Sequence, residues 1–286
     1  LSENRWSFIF KEEESIMTKL KSIPDTLDIV SERIAVGLQT SADNIYILEH
    51  EETQGTLTKV YSKQLKSSVL LESEILTKFI KGSLDIKLCD ISYADRLIIF
   101  PYKKTDDGYK VLTDVEMEKD YPRCFEYLKK FESVLKKRAD CPKTEWWGHT
   151  YPRNLNIFEK QKIMTPFNAF EPSFAYDSVG YCYTTGIAGG YAIILKPSYK
   201  IDPYYLIGLL NSTLLGRYLV TKGGGSLQGG YISYEDRFIR DLPVVIPTPA
   251  IESQICEITK MAKFIEELKK SRKRFVDKWV EITPKI

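Results

Sequence analysis

Residues 146 to 183, WWGHTYPRNLNIFEKQKIMTPFNAFEPSFAYDSVGYCY, constrain this chain more than any other stretch. Paired indoles (Trp146, Trp147), an Arg153-Asn154 step and the alternating Lys160 and Lys162 stand directly against a run of strand-like apolar residues. Cations neutralise phosphates, and planar amide and guanidinium groups make paired hydrogen bonds to base edges. The combination therefore suits gripping a nucleic-acid backbone and suits catalysis poorly.

With 286 residues, 43% hydrophobic and 28% charged, the chain can bury a real core as one large domain or two small ones. Its 41 Lys and Arg against 39 Asp and Glu leave a formal charge of +2, so an anion-binding surface requires segregated charge rather than excess. Cys89, Cys124, Cys141, Cys182 and Cys256 are far apart, odd in number and without a CxxC pair. Neither a zinc site nor a disulfide framework is expected, and a reducing cytoplasm fits best. No segment has the apolar length to cross a bilayer, and no basic-then-apolar signal pattern opens the chain. The opening LSENRWSF is amphipathic and lacks Met, which reads as the interior of a longer polypeptide working as part of a larger machine.

Ile16 and Leu20 at helical spacing give a short helix over residues 11 to 22, stopped by Pro24. Residues 29 to 38 and 44 to 48 read as strands joined by Gln39-Thr40-Ser41-Ala42-Asp43, with further extended pieces at Val60-Tyr61, 69 to 71 and 97 to 100. Asp120 and Pro122 open a helix whose Phe125, Leu128, Phe131 and Leu135 line one face. A second strand-rich region spans about 146 to 196. Asp202-Pro203 then opens a helix, apolar nearly all round, that runs through Leu219 and must be buried. Residues 222 to 231, KGGGSLQGGY, form a glycine-rich loop without the arrangement of a P-loop. From Ile251 the apolar positions 251, 255, 258, 262 and 265 form a heptad seam that needs a partner helix. The expected fold is α+β, with irregular, mostly antiparallel strands, packed helices and a C-terminal heptad-patterned helix. Residues 1–249 form the main domain, and 250–286 a helix packing on the same or a partner chain.

Seven segments occur in a telling order: GLQTSADNIYIL (37 to 48), IKGSLDIKLCDISYADRLIIFPY (80 to 102), YPRCFEYLKKFESVLKKR (121 to 138), YPRNLNIFEKQKIMTP (151 to 166), PSFAYDSVGYCY (172 to 183), LIGLLNSTLLGRYL (206 to 219) and LPVVIPTP (242 to 249). The series resembles the C-terminal specificity domain of TaqI-like and type IIG restriction-modification enzymes, in which an adenine-N6 DNA methyltransferase is followed by a target-recognition domain. The resemblance implies double-stranded DNA and an N-terminal methyltransferase domain of the same polypeptide as partners, with S-adenosylmethionine used by the parent enzyme. One departure is specific. Such methyltransferases carry an Asn/Asp-Pro-Pro-aromatic motif, and this chain has no Pro-Pro pair. A nuclease motif is equally unsupported, because Pro24-Asp25 is followed by Glu32-Arg33-Ile34 rather than Glu-x-Lys. The expectation is a recognition module without chemistry of its own.

Candidate DNA-contacting residues are Arg153 and Asn154 on an aromatic-flanked turn, with a structural Arg paired to a carboxylate as the alternative. Lys160 and Lys162 are expected on one solvent face of a strand, where a plain solvated face is also consistent. Gln39, Thr40, Ser41 and Asn44 form a polar turn, and in the resembling family the matching loop lies towards the DNA; taken alone they are ordinary turn residues. Lys222, Ser226, Gln228 and Tyr231 lie in the glycine loop, where backbone amides can approach phosphates. Trp146 and Trp147 suit the core better than a base stack. The Lys269 to Arg274 run reads first as a solvated helix face, next as a contact with an acidic surface of the methyltransferase domain, and last as a phosphate contact. Two other functions compete. An assembly module would self-associate through the C-terminal helix, as in type I specificity subunits; a hydrolase would centre on His149 with Asp140 or Glu145.

Overall fold

The computed structural model describes residues 11–221 and 229–282. Lys222, Ser226 and Gln228 lie outside the described residues. In chain order the first part comprises α1 (Lys11–Lys21), α2 (Leu27–Val30), β1 (Ser31–Val36), α3 (Asp43–Tyr46), β2 (Ile47–Gln54), β3 (Leu57–Ser62), β4 (Ser67–Glu72), β5 (Leu76–Ile80), α4 (Gly82–Asp85), β6 (Ile86–Lys87), β7 (Asp90–Ile91), β8 (Arg96–Ile99), β9 (Tyr102–Thr105) and β10 (Gly108–Val111). There follow α5 (Asp114–Asp120), α6 (Pro122–Lys129), α7 (Glu132–Leu135), β11 (Lys162–Pro166), β12 (Asn168–Ala169), β13 (Ala175–Asp177), β14 (Cys182–Tyr183), β15 (Gly190–Leu195), α8 (Pro203–Leu210), α9 (Thr213–Thr221), β16 (Ile232–Ser233), α10 (Asp236–Ile239) and α11 (Glu252–Ile282).

A four-stranded sheet of order β1-β15-β11-β13 stands beside a six-stranded sheet of order β14-β5-β8-β2-β3-β4. All pairings in the four-stranded sheet are antiparallel, and in the six-stranded sheet only β14 on β5 is parallel. The fold is the expected α+β arrangement with a long C-terminal helix. Strand alternation puts the four-stranded sheet between two cores. Ala35, Met164, Ala175, Ala192 and Ile194 face the core shared with the six-stranded sheet and α6. Ile34, Ile163, Tyr191 and Ile193 face the core shared with α8, α9 and α11.

Several sequence boundaries move. The stretch 44 to 48 does not start as a strand: Asp43–Tyr46 make a helical turn and β2 begins only at Ile47. The helix opened by Pro122 breaks after Lys129 and resumes at Glu132. The apolar helix opened by Pro203 breaks at Asn211-Ser212, where the Asn211 carboxamide accepts from Phe174 N (2.8 Å) and donates to Phe174 O (2.7 Å). The helix yields there because one side chain replaces a missing strand neighbour for Phe174.

The seam of the C-terminal helix finds its partner within the chain. Ile255, Ile258, Ala262 and Ile265 of α11 join the second core, and the helix lies on α8. Contact is close enough that a Cβ at Gly208 would sit 2.6 Å from Ile258 Cγ2. Tyr204 of α8 adds a hydroxyl bond of 3.1 Å to Glu266. Among the described residues no helix is long and apolar enough to cross a membrane.

Candidate nucleic-acid interface

Because β1 and β11 both run antiparallel to β15, three chain segments must meet at one end of the four-stranded sheet. Val36 of β1 lies opposite Tyr191, and Pro166 of β11 opposite Gly190, so the turn after β1, the loop before β15 and the segment after β11 are neighbours. Backbone hydrogen bonds fix them together: Leu38 N to Tyr183 O at 3.2 Å, Thr185 N to Leu38 O at 3.0 Å, Phe167 N to Gly189 O at 3.1 Å. Gln39 and Tyr151 exchange both backbone bonds (3.0 and 3.1 Å), which adds the Tyr151–Asn154 turn to the same rim. β12 pairs with β16, which brings in Tyr231. Gly82 of α4 backs this rim so tightly that a Cβ there would lie 1.9 Å from Gly189 O.

Five of the expected residues gather on this rim with exposed side chains: Gln39, Ser41, Asn44, Arg153 and Tyr231. A depression of about 390 Å³ lies among Gln39, Ser41, Asp43, Thr184, Thr185 and Gly186. Ser41, at φ 52°, is held by a 2.8 Å hydroxyl bond to Thr150, whose hydroxyl donates to Gln39 O at 3.0 Å. Gln39 donates from Nε2 to Ser41 at 3.2 Å, and its side-chain oxygen takes no hydrogen bond among the described residues. The Arg153 guanidinium rests over the Tyr151 ring, 5.1 Å from its centroid. Tyr231 stacks on Phe170 with ring centroids 3.7 Å apart, and Phe170 is itself 62% exposed.

The other expected residues are placed differently. Thr40 is buried, its hydroxyl donating to Asp43 and accepting from Ala42 N at 3.0 Å, so it shapes the turn rather than its surface. Asn154 adopts φ 57° and donates its amide to Val36 O at 2.8 Å, which ties its turn to the end of β1. Lys160 is exposed, but it precedes β11 and stands at the opposite end of the sheet.

Lys162 corrects the sequence reading outright. It shares a strand face with Met164, so it points into the first core and not into solvent; its side chain and that of Asp177 are both 0% exposed, with Nζ 2.6 Å from the carboxylate. Lys162 also donates to Phe158 O at 2.7 Å, and Asp177 accepts from Val179, Gly180 and Tyr181 N at 3.0, 2.8 and 2.9 Å. Burial pulls the Lys162 pKa down while the Asp177 charge opposes it. The pair is a satisfied internal anchor for the 177–181 turn.

Behind the rim lies a polar scaffold that sequence reasoning missed. Arg138 donates to four carbonyls: Leu135 (2.9 Å), Thr40 (2.7 Å), Trp146 (2.6 Å) and Gly148 (2.9 Å). Its fork thereby clamps the polar turn to the segment entering Tyr151. Trp146 and Trp147 are buried and pack on Phe125, and Trp147 donates to Leu112 O at 3.0 Å. His149 is fully buried among Tyr46, Phe100 and Tyr102, with Nε2 3.0 Å from Ile99 O. Burial drags its pKa down to about 3. The ring is neutral, sealed from substrate and without the neighbouring nucleophile a hydrolase needs. Among the described residues no group of three His, Cys, Asp or Glu is arranged to hold a metal ion. The Thr184–Gly189 loop and Phe170 also went unnoticed; the clustered Gly186, Gly189 and Gly190 were the available signal.

The comparisons with known proteins bear on the same region. The type II methyltransferase M.MjaIV of Methanocaldococcus jannaschii is 20% identical over 265 residues, covering 90% of this chain and 80% of that protein. The type II restriction enzyme and methyltransferase RM.Eco57I of Escherichia coli is 23% identical over 74% of this chain, which spans only 22% of its length. The type II methyltransferase M.BanIII of Aneurinibacillus aneurinilyticus is 22% identical over 81% of this chain and 37% of that protein. The family model of the TaqI-like C-terminal specificity domain matches residues 77–244, more than half of the 286 residues and including β11 to β16 with their rim segments. The chain belongs to the TaqI-like C-terminal specificity domain family.

Proposed function

We propose that this chain is the sequence-specific double-stranded DNA recognition module of a restriction-modification adenine methyltransferase, and that it positions the duplex for a methyltransferase domain of the same polypeptide. The observation that carries the reading is the convergence of Gln39, Ser41, Asn44, Arg153 and Tyr231 at one end of a sheet buried on both faces. Family membership and the type II methyltransferases among its relatives support it. Amide and guanidinium groups are the types that pair bidentately with adenine and guanine edges, each good pair discriminating by ~1–3 kcal/mol. An enzyme that modifies a base extrudes it from the stack, at a cost of a few kcal/mol, and needs the flanking duplex held. In this reading the rim supplies that hold. S-adenosylmethionine serves the methyltransferase domain, and no residue of this chain is assigned to it.

Fluorescence anisotropy of the purified chain on labelled duplexes tests the proposal. The log affinity should fall linearly with log salt, by roughly 0.9 for each phosphate neutralised. Selection from a randomised duplex pool should return one preferred motif, and Gln39→Ala should relax the preference at one position. A flat salt response refutes the DNA reading.

A second reading, assembly through α11, has one observation in its favour. Met261, Phe264, Leu268 and Phe275 of α11 are 58%, 59%, 52% and 73% exposed, at heptad steps. Sedimentation velocity of the wild type and of Phe264→Glu checks it: a monomer mass independent of concentration for both discards self-association.

A further inference from the structure

We infer that the cleft between the β6–β7 hairpin and α11 is a second phosphate-binding site, taking the sugar-phosphate backbone of duplex DNA beside the base-reading rim. This inference rests on the DNA reading above. Lys87 comes from the hairpin and Lys269, Arg272 and Lys273 come from α11, and together with Ser92, Asp90 and Asp277 they line one cleft of about 290 Å³. Four cations against two carboxylates leave the cleft positive in a chain whose overall charge is only +2.

Two of the cations are aimed without being neutralised. Lys87 Nζ donates to Ser83 O at 3.0 Å, and Lys273 Nζ donates to Tyr93 O. Neutral carbonyls hold those ammonium groups in place while their charge remains available. Asp90 is turned inward, 5% exposed, and its carboxylate accepts the Ser92 hydroxyl at 2.8 Å. None of the four cations takes part in an ion pair among the described residues, although their helix neighbour Lys270 is paired with Glu266 at 2.8 Å.

The chemistry of the cluster fits phosphates. Arg presents a fork that matches two phosphate oxygens, while Lys acts as a point charge. Residues 269 and 272 or 273 are one helical turn apart, so they present successive cations along the cleft. Its position fits a backbone contact rather than base reading. The hairpin that carries Lys87 follows α4, whose Gly82 abuts Gly189 of the rim, and Leu88 at the hairpin tip lines a groove with Phe170 on the other side. A strand leaving the rim past Phe170 meets this hairpin next.

The test is anisotropy titration of the full chain on duplexes of preferred and unrelated sequence across a salt series. Lys269→Ala/Arg272→Ala should weaken both duplexes alike and make the log–log salt slope shallower by about 1.8, that is 0.9 for each lost phosphate contact. Adding Lys87→Ala, on the opposite wall, should take away roughly 0.9 more. Lys160→Ala, at the far end of the sheet, should leave the slope unchanged, and urea midpoints of all variants should match the wild type because the α11 seam is untouched. A double variant with wild-type slope and affinity overturns the site while leaving the rim reading intact, including the case in which these cations meet an acidic protein surface. An equal loss from Lys160→Ala overturns it as well, since the effect would then be diffuse charge. A wild-type chain that binds no duplex defeats the rim reading and this site together.

Discussion

His149 makes the buried rim scaffold measurable through pH. Its ring is fully buried; Nε2 donates to Ile99 O at 3.0 Å and Nδ1 has no partner among the described residues, so the folded state holds the neutral imidazole. Desolvation lowers its pKa from 6.5 to about 3. Between those values the unfolded chain binds a proton that the folded chain refuses. The unfolded state binds more protons, stability therefore rises with pH across the window, and it is lost as pH falls from 6.5 towards 3. At pH 5 the solution is 1.5 units below the ordinary imidazole pKa of 6.5, which the unfolded chain keeps. At ~1.4 kcal/mol per unit the folded state forfeits about 2 kcal/mol between pH 7 and 5. His149→Gln keeps an amide donor for Ile99 O and removes the titration. Its packing penalty is the same at both pH values and cancels. Urea unfolding of both proteins at pH 7 and 5 should show the wild type losing about 2 kcal/mol more than the variant, roughly 0.7 M in midpoint for a slope near 3 kcal/mol/M. Equal losses, within about 0.5 kcal/mol, would refute the reasoning. They would mean that the folded imidazole accepts a proton near its normal pKa, and His149 would return as a candidate general base.

Lys162→Met strands the Asp177 carboxylate in the core and should destabilise the fold by ~3–5 kcal/mol, measured as a urea midpoint; a loss below about 1 kcal/mol would indicate that water reaches the pair. Arg138→Lys keeps the charge but cannot span four carbonyls. It should cost about 2–3 kcal/mol and speed amide hydrogen exchange selectively in residues 39 to 46. Arg153→Ala should reduce the DNA salt slope by roughly 0.9 if Arg153 meets a phosphate, or relax one base position at a cost of ~1–3 kcal/mol if it meets a base, and anisotropy on variant duplexes separates the two.

The helices and their apolar faces were legible where a single face was buried. Phe125, Leu128 and Leu135 are in the core as their spacing requires, and Ile255, Ile258, Ala262 and Ile265 form the expected seam. Strand reasoning failed at β11 for an identifiable cause. Alternation separates a wet face from a dry one only in a half-exposed strand, whereas all five residues from Lys162 to Pro166 are buried because cores lie on both sides. A lysine there reads as solvent-facing unless its carboxylate partner, fifteen positions on, is known. The break at Asn211 was hidden likewise, since its carboxamide serves the backbone of Phe174, a neighbour that only the fold supplies. At the rim, Gln39, Ser41 and Arg153 were legible as turn residues of suitable chemistry. Thr40 and Asn154 are of the same types one position away, and what separates the two sets is exposure: Thr40 is buried and Asn154 half-buried, whereas Gln39, Ser41 and Arg153 face solvent.

That distinction has a physical consequence for recognition. A side chain that reads a base must lose little freedom on binding, because each immobilised rotamer-rich chain costs ~0.5–1.5 kcal/mol, comparable to the discrimination one contact provides. Here the backbone beneath the readers is fixed in advance: the Arg138 fork holds Thr40 O, the Asn154 amide holds Val36 O and the Ser41–Thr150–Gln39 hydroxyl chain closes the turn. The buried or half-buried Arg138, Thr150 and Asn154 are thus the support for the exposed Gln39, Ser41 and Arg153. Arg138→Lys separates these roles. If the buried set acts by preorganising the rim, this variant should weaken preferred and unrelated duplexes unequally, eroding sequence preference while the salt slope stays at the wild-type value. A parallel loss on both duplexes with a shallower slope would instead make Arg138 a phosphate ligand, which its four carbonyl bonds argue against.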